Sequence, residues 1–233
     1  MLSLQQYLYR ERKFLHDSGV SGGTKFDDTF LIYTINQARA NLVYLSRCTR
    51  AWTTINLAQG QEWYPFSQVL ASLQTSPGDE FSNQLPVKQV LTILNLTIQY
   101  SSSPLRIALE YLPWSQFNAI YRAFPIQIYP TIWSMYGYQQ FIVAPIPSQT
   151  YVLEVDCLWL PSDLLNYNDN DTALPQPWSD AVPLVAAYWA LINEQSPEMV
   201  EAIKKIARDE FGIQLSATPP WRIPSPYGSS FTG

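Results

Sequence analysis

The sequence predicts an α+β fold, in which N- and C-terminal helices form a helical bundle joined to a central antiparallel β-rich subdomain. Apolar residues recur with a helical period near both ends of the chain, and the period changes to two between them. The last eighteen residues contain four prolines and two glycines without a helical period, which indicates an extended C-terminal arm. We therefore expect residues 1–51 and 175–215 to form the bundle, 52–174 the β-rich subdomain with a short inserted helix, and 216–233 the arm.

Two helices are expected within the first fifty residues. The first runs from about Ser3 to His16, where a glycine-rich segment ends it. The second begins after Asp27, whose side chain can cap the first turn, and Phe26 and Leu31 are placed to form a hydrophobic staple. Its apolar residues fall on one face at spacings of four and three. This predicted buried stripe comprises Leu31, Ile35, Ala38, Leu42 and Leu45.

The central part alternates apolar and polar residues, which is typical of half-buried strands. A strand from Trp52 and the segment 62–66 are expected to form a hairpin that turns at 58–61. Residues 67–87 mix serine, glutamine, proline and glycine, which indicates an excursion or a short helix followed by a loop. Residues 90–100 resume the alternation and predict a further strand.

The second half of the β-rich part contains one short helix among its strands. Residues 104–112 alternate as a strand, 113–124 have the spacing of an amphipathic helix, and 130–147 predict a hairpin that turns near Gly137. The segment 150–160 has the clearest alternation in the chain. The residues expected to share one side of it are Tyr151, Leu153, Val155, Cys157 and Trp159.

Two further helices are expected near the C-terminal end, at about 178–195 and 197–211. Ser196 is placed to cap the second helix, and Pro197 suits its first position, where a backbone N–H is not needed. Each helix has one apolar stripe. The stripes comprise Val182, Val185, Trp189 and Ile192 in the first helix, and Val200, Ile203, Ala207 and Phe211 in the second.

The composition excludes several classes of function. A net charge of −5 argues against tight binding to a phosphate backbone, because lysine and arginine drive that binding. The longest apolar run, 183–192, is about half of the roughly 20 residues needed to cross a bilayer, and no basic-then-apolar leader opens the sequence. We expect neither a membrane span nor a secretion signal. Cys48 and Cys157 lie in unlike contexts, which predicts two free thiols in a reducing compartment.

The sequence offers no pattern typical of catalysis, and one histidine with two distant cysteines gives no metal-ligand spacing. His16 stands at a helix end and is interpreted as structural. Segment 19–25 lacks the Gly-Lys-Ser/Thr ending of a phosphate loop. Glu154 and Asp156 lie about 7 Å apart on one strand, but glycosidase carboxylates usually come from different elements, so we interpret them as an exposed strand face. We predict that the protein is not an enzyme and has no cofactor.

Residues 110–137 combine many aromatic rings with a single acid and a single base. Such a stretch can fill a core, form a surface that another subunit buries, or stack on a sugar, and composition does not separate the first two. The alternative function is a β-rich carbohydrate- or peptide-binding module that uses these rings as a platform. The rings that we single out as a subunit or tail interface are Trp114, Phe117, Tyr121, Tyr129, Trp133 and Tyr136.

Eight segments in the same order along the chain resemble the head-to-tail adaptor proteins of tailed bacteriophages, also termed connector or head-completion proteins, especially those of short-tailed phages. The segments are YRERKFLHD, FDDTFLIYTINQARANLVYLSRC, GQEWYPF, LEYLPWSQFNAIYRAFP, YPTIWSMYG, FIVAPIPSQTYVLEVDCLWLP, LPQPWSDAVPLVAAYWALI and RIPSPYG. Each one alone is only an amphipathic helix or an aromatic strand, so the shared order carries the resemblance. Residues 67–88 depart from the pattern, which leaves open what they contact.

The resemblance implies a structural virion protein in the neck between capsid and tail, assembled in the cytoplasm of the bacterial host. Such proteins form a ring, typically of twelve copies, below the portal protein, where they extend the channel for genomic DNA without recognising it specifically. The ring is a platform for the tail or nozzle protein, and no membrane takes part. The C-terminal arm is implied to bind the portal. Its implied anchors are Trp221, Arg222, Ile223, Pro224 and Tyr227.

Overall fold

The computed structural model describes residues 2–17, 25–75, 86–99, 105–123, 127–137 and 139–215. Within these ranges the chain has six α-helices and ten β-strands, with helices at both ends and a β-rich centre, which confirms the α+β class. The described residues group into two compact units. Among the described residues, the helical unit comprises those up to Thr49 and from Pro161 to Leu215, and the β unit comprises those of Arg50–Leu160.

The bounds of the elements follow the sequence patterns closely at the helices and less closely at the strands. The helices are α1 (Leu4–Phe14), α2 (Asp28–Ser46), α3 (Phe66–Thr75), α4 (Trp114–Ala123), α5 (Trp178–Asn193) and α6 (Pro197–Phe211). The strands are β1 (Arg50–Leu57), β2 (Trp63–Pro65), β3 (Val87–Gln99), β4 (Arg106–Ala108), β5 (Glu110–Tyr111), β6 (Gln127–Ile128), β7 (Ile132–Tyr136), β8 (Gln140–Ala144), β9 (Ile146–Pro147) and β10 (Tyr151–Pro161).

Side-chain caps begin the first two helices. The Gln6 N–H donates to Ser3 Oγ at 3.3 Å, and the Ser3 N–H donates to Gln6 Oε1 at 3.0 Å, which completes a capping box at α1. At α2 the Thr29 N–H donates to the Asp27 carboxylate at 3.2 Å. The predicted N-cap of α2 is therefore confirmed.

α5 is the central helix of the helical unit. From Ala181 to Leu191 every residue except Trp189 is buried, and α1, α2 and α6 all pack against this helix. A helix that is apolar on all sides has to be surrounded, and its many alanines allow neighbouring helices to approach it closely. The sequence predicted one buried face for α5, whereas the helix is buried on nearly all sides along this stretch.

The predicted stripe of α2 is confirmed except at its last position. Leu45 is 45% exposed, and Val43 is buried in its place near the C-terminal end of the helix. The regular spacing therefore holds over three turns and fails in the last one. The confirmed residues, all fully buried, are Leu31, Ile35, Ala38 and Leu42.

A buried ion pair connects α2 to the loop before α5. Arg39 Nε and Nη2 donate to the two oxygens of the Asp171 carboxylate at 2.9 and 3.0 Å, and both side chains are buried. Tyr7 of α1 donates to the same carboxylate at 3.0 Å, and burial together with Asp171 raises the pKa of Tyr7. These contacts explain why residues 161–174 group with the helices, whereas the sequence pattern assigns them to the β-rich part.

Arg47 ends α2 in the left-handed conformation, with φ of 53°. A side chain with a Cβ is strained there and glycine is not, so we expect Arg47→Gly to raise the free energy of unfolding by about 0.5–1 kcal/mol. Urea denaturation measures the change. Arg47→Ala keeps the strained Cβ, so it is the control and should not raise the free energy of unfolding. A glycine variant no more stable than the alanine variant would contradict the prediction.

The β unit contains two four-stranded sheets. Sheet 1 has the order β1-β10-β3-β4, and β1 is antiparallel to β10, with Trp52 opposite Asp156. Sheet 2 has the order β2-β8-β7-β5, in which β5 runs parallel to β7. β7 and β8 form the hairpin predicted at Gly137, which has φ of 64°. β10 confirms the clearest strand prediction, since all five residues expected on one side of it are buried.

The predicted hairpin of β1 and β2 is wrong. The turn between them forms, because the Gln61 N–H donates to Ala58 O, but β1 pairs with β10 and β2 pairs with β8. Helix α3, the short helix expected after residue 66, packs against β1 instead. Its Ser72 hydroxyl donates to the Thr54 carbonyl at 2.6 Å, which connects α3 to β1.

The strand predicted at 104–112 is divided between the two sheets. The Leu109 N–H donates to Leu96 O of β3 at 2.8 Å, whereas the Glu110 N–H donates to Thr131 O at 2.9 Å, just before β7. Alternation predicts an extended segment but not its partner, so the change of sheet at Leu109 is invisible in the sequence. The helix expected at 113–124 follows as α4.

Candidate protein interface

Four aromatic rings of the β unit contact one another on sheet 2. We define the aromatic cluster as Trp63 of β2, Trp114 and Phe117 of α4, and Tyr136 of β7. Trp114 lies at its centre, with ring centroids 4.7 Å from Tyr136, 5.9 Å from Trp63 and 5.9 Å from Phe117. Tyr136 also meets Trp63 edge to face at 5.2 Å. Such edge-to-face and offset pairs are each worth about 0.5–1.5 kcal/mol beyond the area that they bury.

Local sequence places α4 over the sheet. The Phe117 N–H donates to Pro113 O at 2.9 Å, so the proline begins the helix without losing a needed donor. One helical turn later Phe117 is fully buried against Ile142 and Ala144 of β8. Phe117 therefore anchors the helix, and Trp114, at the same helix end, reaches only partway into the unit.

The six rings singled out from the sequence have different environments. Phe117 and Trp133 are core residues, whereas Tyr129 and Tyr136 are 42% and 48% exposed. Trp114 is half-buried, and the side chain of Tyr121 lies outside the described residues. The fold brings Trp114, Phe117 and Tyr136 together but places Trp133 against Tyr111 at 4.9 Å. The exposed rings are the part of this set available to a partner.

Sequence reasoning missed two members of this surface. Trp63 joins the cluster because β2 pairs with β8 and β8 with β7, although Trp63 and Trp114 are 51 positions apart in the chain. Tyr111 is nearly half exposed. The partial burial of its side chain raises the pKa of the Tyr111 hydroxyl. The alternation in 62–66 indicated a strand, but only the strand order of sheet 2 shows which rings meet.

α2 presents a second surface of unusual composition. After Asp28 the only charged residue of this helix is Arg39, which is buried, so none of the later residues that reach the surface carries a charge. Tyr33 is 59% exposed, and Tyr44 and Leu45 are also exposed. α6 provides the contrast within the same unit. Its exposed charged residues are Glu198, Glu201, Lys205, Arg208, Asp209 and Glu210.

The histidine and the two cysteines, the residue types most often used in catalysis and metal binding, do not form a site among the described residues. His16 is exposed just beyond α1, in the left-handed conformation with φ of 53°. Both cysteines are free as predicted, and burial raises the pKa of the Cys157 thiol to about 12. The described ranges contain no group of three or more acidic, histidine or cysteine side chains that could hold a metal ion. The phosphate-loop segment 19–25 lies almost entirely outside them.

Glu154 and Asp156 differ from the exposed strand face expected of them. Glu154 is 7% exposed, so that prediction is wrong for it. Each carboxylate is paired with an arginine of the same sheet, Asp156 with Arg50 of the adjacent β1 and Glu154 with Arg106 of β4, two strands away. Arg106 Nε donates to Glu154 at 2.8 Å, and Arg50 Nε donates to Asp156 at 2.7 Å.

The implied arm anchors, Trp221 to Pro224 and Tyr227, lie outside the described residues, which end at Leu215. A comparison with protein families also ends before these anchors. A family model described as SU10 adaptor protein matches residues 10–216, most of the sequence. The chain belongs to this family of phage adaptors.

Membership confirms the resemblance to phage head-to-tail adaptors and identifies the adaptor as a structural phage protein. A search among curated proteins finds no match to this chain. In the part of the adaptor that the structure describes, none of the helices is long and apolar enough to cross a bilayer.

Proposed function

We propose that the adaptor forms a ring by packing the exposed face of α2 against a neighbouring copy below the portal. The proposed ring has twelve copies, extends the DNA channel and provides the platform for the tail or nozzle protein. The observation that carries this proposal is the uncharged outer face of α2. A helix that stays in water normally presents charged residues outward, as α6 does.

The aromatic cluster supplies a second contact surface in this proposal. Tyr111, Tyr129 and Tyr136 are each exposed by more than two fifths, and tyrosine and tryptophan are enriched where protein interfaces are buried. We assign this surface to the neighbouring subunit or the tail protein. The alternative sugar or peptide platform would need free ring faces, whereas Trp114 is already contacted by three rings of its own unit.

The arm and the channel complete the proposed function. Residues 216–233 bind the portal through Trp221, Arg222, Ile223, Pro224 and Tyr227, as the resemblance implies. Genomic DNA passes through the ring unrecognised, because a chain of net charge −5 repels phosphates on average. The protein acts as a non-enzymatic virion component of the neck, assembled in the host cytoplasm. A ring whose bore is lined mainly by lysine and arginine would contradict the channel assignment.

Placing a charge on α2 tests the ring interface. We expect Tyr33→Lys to weaken assembly on isolated portal by about 2 kcal/mol, roughly thirty-fold, because a lysine would be buried without a partner. Ala202→Lys on the exposed face of α6 is the matched control and should assemble normally. Negative-stain microscopy counts occupied portals, and cryo-electron microscopy gives the copy number. Equal assembly by both variants would contradict the assignment of α2.

Removing the arm tests portal binding separately. A chain that ends at residue 215 retains the described core residues of both units, so we expect it to fold and to lose portal binding in a pull-down. A full-length chain in which Trp221 and Tyr227 are both alanine should bind more weakly by at least about ten-fold. Portal binding at full affinity by the shortened chain would overturn the arm assignment while leaving the α2 interface intact.

A further inference from the structure

Sheet 1 carries a cleft of about 360 Å³ on one of its faces. Residues directly opposite each other in an antiparallel pair share a face, and Trp52 lies opposite Asp156 while Thr54 lies opposite Glu154. The cleft therefore lies on the side of the sheet that bears these two carboxylates. Its lining includes Arg50 and Trp52 of β1, Asn95 and Thr97 of β3, and Glu154 and Asp156 of β10.

Trp52 gives the cleft an apolar wall. Its side chain is 53% exposed, whereas other tryptophans of the β unit are buried or half-buried. An exposed indole presents a flat apolar face of large area that loses little conformational entropy on binding. A ligand with one flat apolar face can cover it.

The charged groups that line the cleft, together with Arg106 bonded to Glu154, neutralise one another and are held in place. Asp156 accepts two hydrogen bonds from Arg50, and Glu154 accepts one from Arg106. The carboxylates are largely buried, while the arginine side chains are 66% and 59% exposed. Two acids and two bases sum to zero charge. The ion pairs fix donors and acceptors at the cleft before any ligand arrives, which lowers the entropic cost of binding.

This chemistry selects against charged ligands. An anion would lie beside the Glu154 and Asp156 carboxylates, and a cation would compete with arginines that already hold them. A neutral ligand with several hydroxyl groups meets neither penalty. Its hydroxyls can donate to the carboxylates and to Asn95, and can accept from the guanidinium groups and Thr97.

We propose that this cleft binds a neutral saccharide whose ring stacks on Trp52. The volume is near the lower end of the roughly 300–1,000 Å³ range of small-molecule sites, which suits one or two sugar units. This assigns the carbohydrate chemistry considered for residues 110–137 to a different surface. The proposal is independent of ring formation, because none of its residues belongs to α2, the aromatic cluster or the arm.

Saturation-transfer NMR with the full chain tests the proposal, using maltose, cellobiose, lactose and diacetylchitobiose as probes. We expect at least one of the four to bind with a Kd of about 1 mM, as suits one stacked ring with a few hydrogen bonds. Trp52→Ala and Asn95→Ala should each weaken that binding by at least about ten-fold. Tyr9→Ala, which removes an exposed ring from the helical unit, is the matched control and should bind normally.

Three results would overturn the proposal. The first is no transfer to any of the four sugars at about ten times the expected Kd. The second is unchanged binding by Asn95→Ala and by Trp52→Phe. Trp52→Phe keeps an aromatic ring of smaller area and replaces Trp52→Ala in the test if Trp52→Ala fails to fold. The third is a loss of self-association in Trp52→Ala without sugar binding by the natural chain, which would make the cleft a protein interface.

Discussion

Asp171→Ala is expected to lower the free energy of unfolding of the adaptor by about 3–5 kcal/mol. The substitution leaves the Arg39 guanidinium buried without the carboxylate to which it donates twice. It also removes the acceptor of Tyr7 and of the Ala173 N–H, which donates to Asp171 at 3.1 Å. One side chain thus connects α1, α2 and the loop before α5.

A surface ion pair of the same unit provides the control. Arg10 donates to Asp180 at 2.8 Å, but both side chains are more than one third exposed. We expect Asp180→Ala to cost less than about 1 kcal/mol, because water replaces the lost partner. Urea denaturation followed by circular dichroism compares the two variants. Similar losses from Asp171→Ala and Asp180→Ala would contradict the role given to burial.

A double variant separates the charge from the loop that carries it. Arg39→Met with Asp171→Leu removes both charges, so no unpaired ion remains in the interior. We expect it to recover part of the stability lost in Asp171→Ala. No recovery would mean that Asp171 acts mainly by ordering the loop through the Ala173 N–H and Tyr7.

Glu11→Gln is expected to stabilise the adaptor at neutral and alkaline pH, which is the opposite of most substitutions at a fully buried site. Glu11 of α1 is completely buried, and burial raises its pKa from 4.5 to about 8. Thr34 Oγ1 lies 2.8 Å from Glu11 Oε1 and 2.8 Å from Leu31 O. Because the hydroxyl has one hydrogen, a protonated Glu11 can donate to Thr34 while Thr34 donates to Leu31.

The sign of the pH dependence follows from the raised pKa. Below pH 4.5 the carboxyl is neutral in both folded and unfolded chains and costs nothing. Between pH 4.5 and about 8 the unfolded chain loses the proton while the folded chain keeps it, so stability falls as pH rises. Near pH 7 the penalty is about 3 kcal/mol. Above pH 8 it no longer grows.

The measurement is the free energy of unfolding of Glu11→Gln and of the natural chain across this pH range. The difference should be near zero at pH 4 and largest at pH 8. Glu201→Gln, on the exposed face of α6, is the matched control and should show no comparable trend. A difference that is constant with pH would show that Glu11 is not neutral in the folded adaptor.

Helices were largely predictable from the sequence because their signals are local. The Asp27 cap, the Pro197 start and the stripe from Leu31 to Leu42 each depend on residues within a few turns. The hairpin at Gly137 and the inward side of β10 were equally local. By contrast, the partner of β1 and the division of 104–112 depend on strands far away in the chain, so the alternating pattern could not reveal them.

The candidate surfaces divide in the same way. The sequence alone determined that the adaptor has more aromatic residues and fewer charged residues than most soluble domains, and the shared order of its segments indicated a phage adaptor. Only the tertiary structure decided which rings are core, as Phe117 and Trp133 are, and which reach solvent, as Tyr136 does. It also decided that Trp52, Glu154 and Asp156 line one cleft. The physical reason is that the exposure of a side chain depends on which other residues pack against it. Many of those residues are distant in the sequence and come close only in the folded chain.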